Sequence, residues 1–164
     1  GAKVSRSAPG AGPRHLAFHP LLKRCYIMEE LSGNVSVYSI RKKGLTLLQT
    51  IKADKVSPAP GSADIHVSMD GNYLYATNRA IANSISTFSI HPQSGRLIAQ
   101  GSQPTLGSSP RNFVLDPSGQ FLLVANQHSN QIVVFRINEQ NGMPEPTGAS
   151  LALPSPVCLV FGHH

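Results

Sequence analysis

Gly10-Ala11-Gly12-Pro13-Arg14-His15-Leu16-Ala17-Phe18-His19-Pro20, followed by Tyr26-Ile27-Met28-Glu29-Glu30-Leu31, is a pattern that the chain writes three times. The second copy runs Ala63-Asp64-Ile65-His66-Val67, Asp70-Gly71, Tyr73-Leu74-Tyr75-Ala76-Thr77-Asn78-Arg79. The third runs Arg111-Asn112-Phe113-Val114-Leu115, Asp116-Pro117-Ser118-Gly119, Phe121-Leu122-Leu123-Val124-Ala125-Asn126-Gln127. Superposed, Arg14, Ala63 and Arg111 share one position, and Glu30, Arg79 and Gln127 share another, in steps of 49 and then 48 residues. A fixed period of this size signals a repeat architecture, because one supersecondary unit is being copied.

Each copy reads as four short strands. In the first, Leu16–Phe18, Cys25–Met28, Val35–Ile40 and Leu45–Ile51 are apolar or alternating runs separated by His19-Pro20, Ser32-Gly33-Asn34 and Lys43-Gly44. Alternation of apolar and polar residues belongs to a half-buried strand, and Gly, Pro and Asn clusters mark the turns. The second copy predicts strands near 63–68, 73–78, 84–90 and 96–101, and the third near 111–116, 121–126, 131–137 and 144–150. Four antiparallel strands in roughly 40 residues is the size of one β-propeller blade. The fold class expected is therefore all-β, with the whole of residues 1–164 forming a partial propeller. Its blades span about 13–52, 62–101 and 110–150. Flanking strands are expected over 3–8 and 155–162, the latter opening a further blade.

Propellers close with about 4–8 blades, so three leave apolar faces and strand edges unpaired. The expectation is a ring completed by a missing half or by other copies of the chain. The abrupt opening at Gly1-Ala2-Lys3-Val4 suggests sequence before it, and His163-His164 reads as native or as a tag remnant.

Composition narrows the function. The chain is 40% hydrophobic and 13% charged, which suits a packed domain and argues against disorder. The net charge of +6 is spread as scattered Lys and Arg. Arg41-Lys42-Lys43, at a predicted hairpin turn, is too short for a nucleic-acid patch. No apolar run approaches the roughly 18 residues of a membrane span. Neither nucleic acid nor membrane is therefore an expected partner. No signal peptide is visible, and the compartment stays open with cytoplasm favoured. Cys25 and Cys158 each sit in an apolar run and read as small buried hydrophobes. No metal spacing, phosphate-cradling Gly loop or nucleophile elbow is present, so no metal or cofactor is expected.

The joint order of Gly-Ala-Gly-Pro-Arg14-His15-Leu-Ala-Phe-His-Pro20, Glu30-Leu31, Ala63-Asp-Ile-His66, Asp70-Gly71, Asn78-Arg79 and Pro110-Arg111-Asn-Phe113 resembles the lactonase-type seven-bladed propellers. That family includes the propeller form of 6-phosphogluconolactonase and the fungal carboxy-muconate cyclase. The likeness runs from about residue 8 to 162 and corresponds to the C-terminal half of such proteins. The resemblance implies innermost strands lining a channel, with the site at one mouth. It also implies that Arg14, Glu30 and Arg79 carry catalysis, together with a His from an earlier blade. That His is absent here, so this chain alone is expected to be inactive.

The residue types suit that chemistry. Arg14 and Arg79 offer planar paired donors to a carboxylate, a phosphate or a developing oxyanion. Glu30 can activate water or move a proton next to a carbonyl. His15, His66, Arg111 and Gln127 are candidate substrate contacts. The alternative for each is structural: an ion pair of Glu30 with Arg14 or Arg79 that ties blades together, an Arg111 that bonds a neighbouring blade, or histidines serving as hydrogen-bond partners. His19, His91 and His128 fall in turns and are expected to be exposed. Tyr26, Tyr75 and Leu123 are expected in the core. The function expected is opening of a small anionic sugar lactone such as 6-phosphogluconolactone. A muconate-type cycloisomerase and a non-catalytic propeller scaffold are the alternatives. WD-repeat scaffolds are disfavoured by the absence of Trp.

Overall fold

The structure is a computed structural model that describes residues 5–55 and 61–162. Among these residues it is all-β. Blade 1 comprises β1 (Pro13–Phe18), β2 (Arg24–Glu29), β3 (Asn34–Arg41) and β4 (Gly44–Lys52). Blade 2 comprises β5 (Ser62–Val67), β6 (Tyr73–Asn78), β7 (Ser84–Ile90) and β8 (Leu97–Pro104). Blade 3 comprises β9 (Pro110–Leu115), β10 (Phe121–Asn126), β11 (Gln131–Ile137) and β12 (Pro144–Ala152). Each sheet is antiparallel with its strands in chain order. The first strands β1, β5 and β9 stand side by side, and the three sheets do not close into a ring.

Two apolar layers lie between the blades, and strand alternation builds both. Leu74 and Ala76 of β6 join Tyr26, Met28, Val35 and Val37 of blade 1. Their neighbour Tyr75 turns the other way and joins Phe113, Leu122, Val124 and Phe135 of blade 3. Blade 2 is thus covered on both faces, and five of the six residues of β6 are buried. Each fully buried aromatic or aliphatic side chain contributes about 1.5–3 kcal/mol by leaving water. Blade 1 has no neighbour on its far side among the described residues, and Leu16 and Phe18 there are exposed.

Polar latches repeat as well. The Tyr26 hydroxyl donates to the Gly95 carbonyl of blade 2 at 3.0 Å, and Tyr75 donates to Gly142 of blade 3 at 2.9 Å. Both glycines close five-residue turns, accepting positive φ, and a Cβ on Gly142 would sit 2.4 Å from the Tyr73 ring.

Five expectations need correction. Leu123, expected in the core at the position of Tyr26 and Tyr75, is half-buried and joins neither apolar layer, because among the described residues no further blade covers its face. Over 3–8, the described residues 5–8 form no strand; residues 3 and 4 lie outside the described residues. Residues 155–162 join no sheet. A strand needs a ladder along its edge, and this segment has instead two bonds to side chains, from the Ser155 N–H to Asn130 Oδ1 at 2.9 Å and from the Leu159 N–H to Asn112 Oδ1 at 2.6 Å. Cys158, on that segment, is exposed, while Cys25 is buried as expected. His19 is not a free turn residue. Its Nδ1 accepts the Leu21 and Leu22 N–H groups, so Nε2 carries the proton and donates to the Gly71 carbonyl of blade 2 at 3.1 Å. Burial lowers this imidazole below its ordinary pKa, although the Gly71 bond opposes the shift.

Candidate functional site

A β-bulge recurs at the head of every innermost strand, and it positions the site. In β1 the pairing slips by one residue between Pro13↔Glu29 and Leu16↔Ile27, so Arg14 and His15 occupy the irregularity. The same slip falls at Ala63-Asp64 in β5 and at Arg111 in β9. A bulge re-aims the side chains it carries, and here it does so at the same end of all three blades.

The second strands end at that same edge. Glu30, Arg79 and Gln127 each follow the last residue of β2, β6 and β10. The Glu30 N–H donates to the Gly12 carbonyl at 2.8 Å, and Leu31 and Ser32 N–H both donate to Ala11. This folds Glu30-Leu31 back onto the Gly-Ala-Gly-Pro stretch. Gly12 must be glycine here, since its φ is +65° and a Cβ would lie 2.6 Å from Leu31 Cγ. Two motifs distant in sequence thus become one structural unit.

Arg79 crosses from blade 2 to blade 1. Its Nε donates to the Gly61 carbonyl at 2.8 Å, and its Nη2 donates to Glu30 Oε1. Arg14 Nε stands 3.9 Å from the other oxygen, Glu30 Oε2, which accepts no hydrogen bond among the described residues. The Glu30 side chain is 35% exposed and each arginine 18%. Burial lowers the Arg14 pKa from its ordinary value, and the like charges of Arg79 and Arg111 push the same way, while Glu30 and Asp64 oppose them. Arg111 is half-buried and makes no ion pair or side-chain hydrogen bond among the described residues. The cluster therefore holds three guanidiniums against two carboxylates, a balance that favours an incoming anion.

His15 and His66 meet on one side chain that sequence reasoning did not single out. Asp64 is 3% exposed. Its Oδ1 lies 2.7 Å from His15 Nδ1 and accepts the Ile65 N–H. Its Oδ2 lies 3.2 Å from His66 Nε2 and accepts Asn112 Nδ2 and the Phe113 N–H. Burial pushes this carboxyl up, but the bonds and charge of His66, then His15 and the Phe113 N–H, outweigh it and hold the pKa at about 2. The signal was present in the repeat: His15, Asp64 and Asn112 occupy one position in the three copies.

The structure thus joins Arg14, Glu30 and Arg79, with Arg111 close enough for Arg14 to feel its charge, and joins His15 to His66 through Asp64. Gln127 stays apart from these contacts. Its N–H donates to Ser109, and its half-buried side chain has no bond among the described residues. Glu29, next to Glu30, does something different. It is buried and accepts from Ser32, Asn34 and Ser36 of its own blade, a structural role. No group of three or more His, Cys, Asp or Glu among the described residues could hold a metal ion.

Known proteins resemble this chain over nearly its whole length. The family described as lactonase, 7-bladed beta-propeller matches residues 2–161. A 6-phosphogluconolactonase of Formosa agariphila is 50% identical over 143 residues, covering 86% of this chain and 40% of that protein. One of Bacillus subtilis is 36% identical over 161 residues, covering 95% and 46%. The solved structure of the periplasmic gluconolactonase of Pseudomonas aeruginosa superposes with a TM-score of 0.89 at 36% identity, over 94% of this chain and 43% of that one. The chain spans less than half the length of the curated relatives it matches.

Proposed function

This chain belongs to the seven-bladed β-propeller lactonase family, and on that premise we propose that its Arg14–Glu30–Arg79 cluster is the hydrolytic part of a sugar-lactone site. The observation that carries the reading is the asymmetry of the Glu30 carboxylate. One oxygen is anchored by Arg79, and the other accepts no hydrogen bond among the described residues and meets Arg14 only as a 3.9 Å ion pair, on a side chain that is 35% exposed. A purely structural ion pair has no need to leave that oxygen open.

The chemistry follows from the groups. An anionic sugar lactone, such as the 6-phosphogluconolactone named by the relatives, binds with its charge on the arginines. Glu30 Oε2 accepts a proton as a water molecule attacks the lactone carbonyl. The carbonyl oxygen becomes an oxyanion, stabilised by the guanidiniums already in place. The bond between the carbonyl carbon and the ring oxygen then breaks, and the ring oxygen leaves as a hydroxyl. The ring would be closed by four further blades or by other copies of the chain.

Arg79 also ties blade 2 to blade 1, and this favours a second reading in which the cluster only holds a scaffold together. Glu30→Gln separates the two. In the closed ring, the lactonase reading predicts about a 10²–10⁴-fold fall in kcat at an unchanged melting temperature. Wild-type turnover in this variant would remove Glu30 from the reaction.

A further inference from the structure

The Asp64 node offers more than Glu30 and the arginines use. We infer that His15 is the acid that protonates the departing ring oxygen and that Asp64 positions it, an inference that rests on the lactonase reading above. Three observations carry it. The Asp64 carboxylate is buried and accepts from both histidines and from Asn112, Phe113 and Ile65, so it cannot turn. An ionised carboxylate only accepts, so the 2.7 Å contact requires the hydrogen on His15 Nδ1. Nε2 is then the free nitrogen, on a side chain that is 44% exposed. His15 also shares the β1 bulge with Arg14, which stands beside Glu30.

His66 is the weaker donor for this role. Its Nε2 is already spent on Asp64 Oδ2 at 3.2 Å, on an oxygen shared with Asn112 and Phe113. Its ring is also set edge-on against Phe113, with centroids 4.6 Å apart. It braces Asp64 from the far side.

The step balances with the residues present. Glu30 takes a proton from water as the carbon–oxygen bond to the carbonyl forms. When the ring bond breaks, protonated His15 gives its Nε2 hydrogen to the ring oxygen, which leaves as the sugar hydroxyl. The proton held by Glu30 returns to His15 through solvent, and the new carboxylic acid ionises. No oxidant, reductant or co-reactant is involved.

Leaving-group dependence tests this. A sugar lactone expels an alkoxide and needs the acid, whereas an aryl lactone such as dihydrocoumarin expels a stabilised phenolate and does not. In the closed ring, His15→Gln is expected to lower the ratio of sugar-lactone to aryl-lactone turnover about 100-fold. Glu30→Gln slows both substrates. Equal slowing of both by His15→Gln overturns the role of His15 and leaves the lactonase reading standing. A wild-type ring that opens neither substrate overturns both. The positioning role of Asp64 is read without any substitution, from the imidazole ¹⁵N shifts of the wild-type protein. Neutral His15 is expected mainly as the Nδ1–H form, and a majority of Nε2–H overturns the role assigned to Asp64.

Discussion

Asp64→Asn should remove a defined part of the protein's sensitivity to acid. The carboxyl ordinarily titrates at 3.8 and is held at about 2 in the folded protein. A depressed carboxyl contributes stability that is present above its unfolded value and lost as pH falls through its folded value. The difference between the two values corresponds to roughly 2 kcal/mol of folding free energy. Between pH 5 and pH 2, therefore, the wild-type protein should lose about 2 kcal/mol at this one group. Asn at 64 has nothing to protonate and should lose none there. The depressed carboxylates Asp70 and Asp116 are common to both proteins. Urea unfolding of both proteins at pH 5, 4, 3 and 2 reads the effect as a difference between two slopes. The variant starts lower, because an amide hydrogen replaces an acceptor facing Asn112 and Phe113, but it should decline less steeply. Parallel declines would refute the claim that Asp64 is ionised and held by its neighbours.

Further outcomes follow from the blade contacts and the charges. Tyr75→Phe should cost about 1–2 kcal/mol in urea unfolding, since it strips the buried Gly142 carbonyl of its hydroxyl partner, and Tyr26→Phe should cost a similar amount at Gly95. Gly142→Ala should destabilise by at least about 2 kcal/mol, because φ is +72° and the new Cβ meets the Tyr73 ring at 2.4 Å. Gly119→Ala has the same φ of +72° but open space around it, so its melting temperature should fall less. Arg79→Met should raise KM for a phosphorylated sugar lactone more than for its unphosphorylated counterpart. An equal change for both in steady-state kinetics would take Arg79 off the anion.

The blades were legible in the sequence because Tyr26, Tyr75 and Leu123, and the turns between their strands, recur at a nearly constant step. Alternation within β6 even anticipates that Leu74 and Tyr75 face different blades. What stayed hidden was irregular. The bulge that aims Arg14 and His15 is a one-residue slip, and no residue type announces it. Asp64 was visible only as a neighbour of His66 until its alignment with His15 and Asn112 gave it partners. The 155–162 segment has the apolar run of a strand but lacks the edge that would make it one. Its Leu159 N–H bonds Asn112 as the Phe113 N–H bonds Asp64, so it repeats a bond between neighbouring innermost strands without their sheet.

The central claim is that acidic and basic groups from neighbouring blades meet around one anionic guest. A crystal structure of the closed ring with gluconate 6-phosphate, the ring-opened product, tests it most directly. The account predicts density for the sugar acid against Arg14, Arg79 and Arg111, with its new carboxylate held by the guanidiniums next to Glu30. Density elsewhere, for example in the cleft of about 260 Å³ lined by Tyr73, Leu115 and Ile137, with the arginine cluster undisturbed, would contradict it.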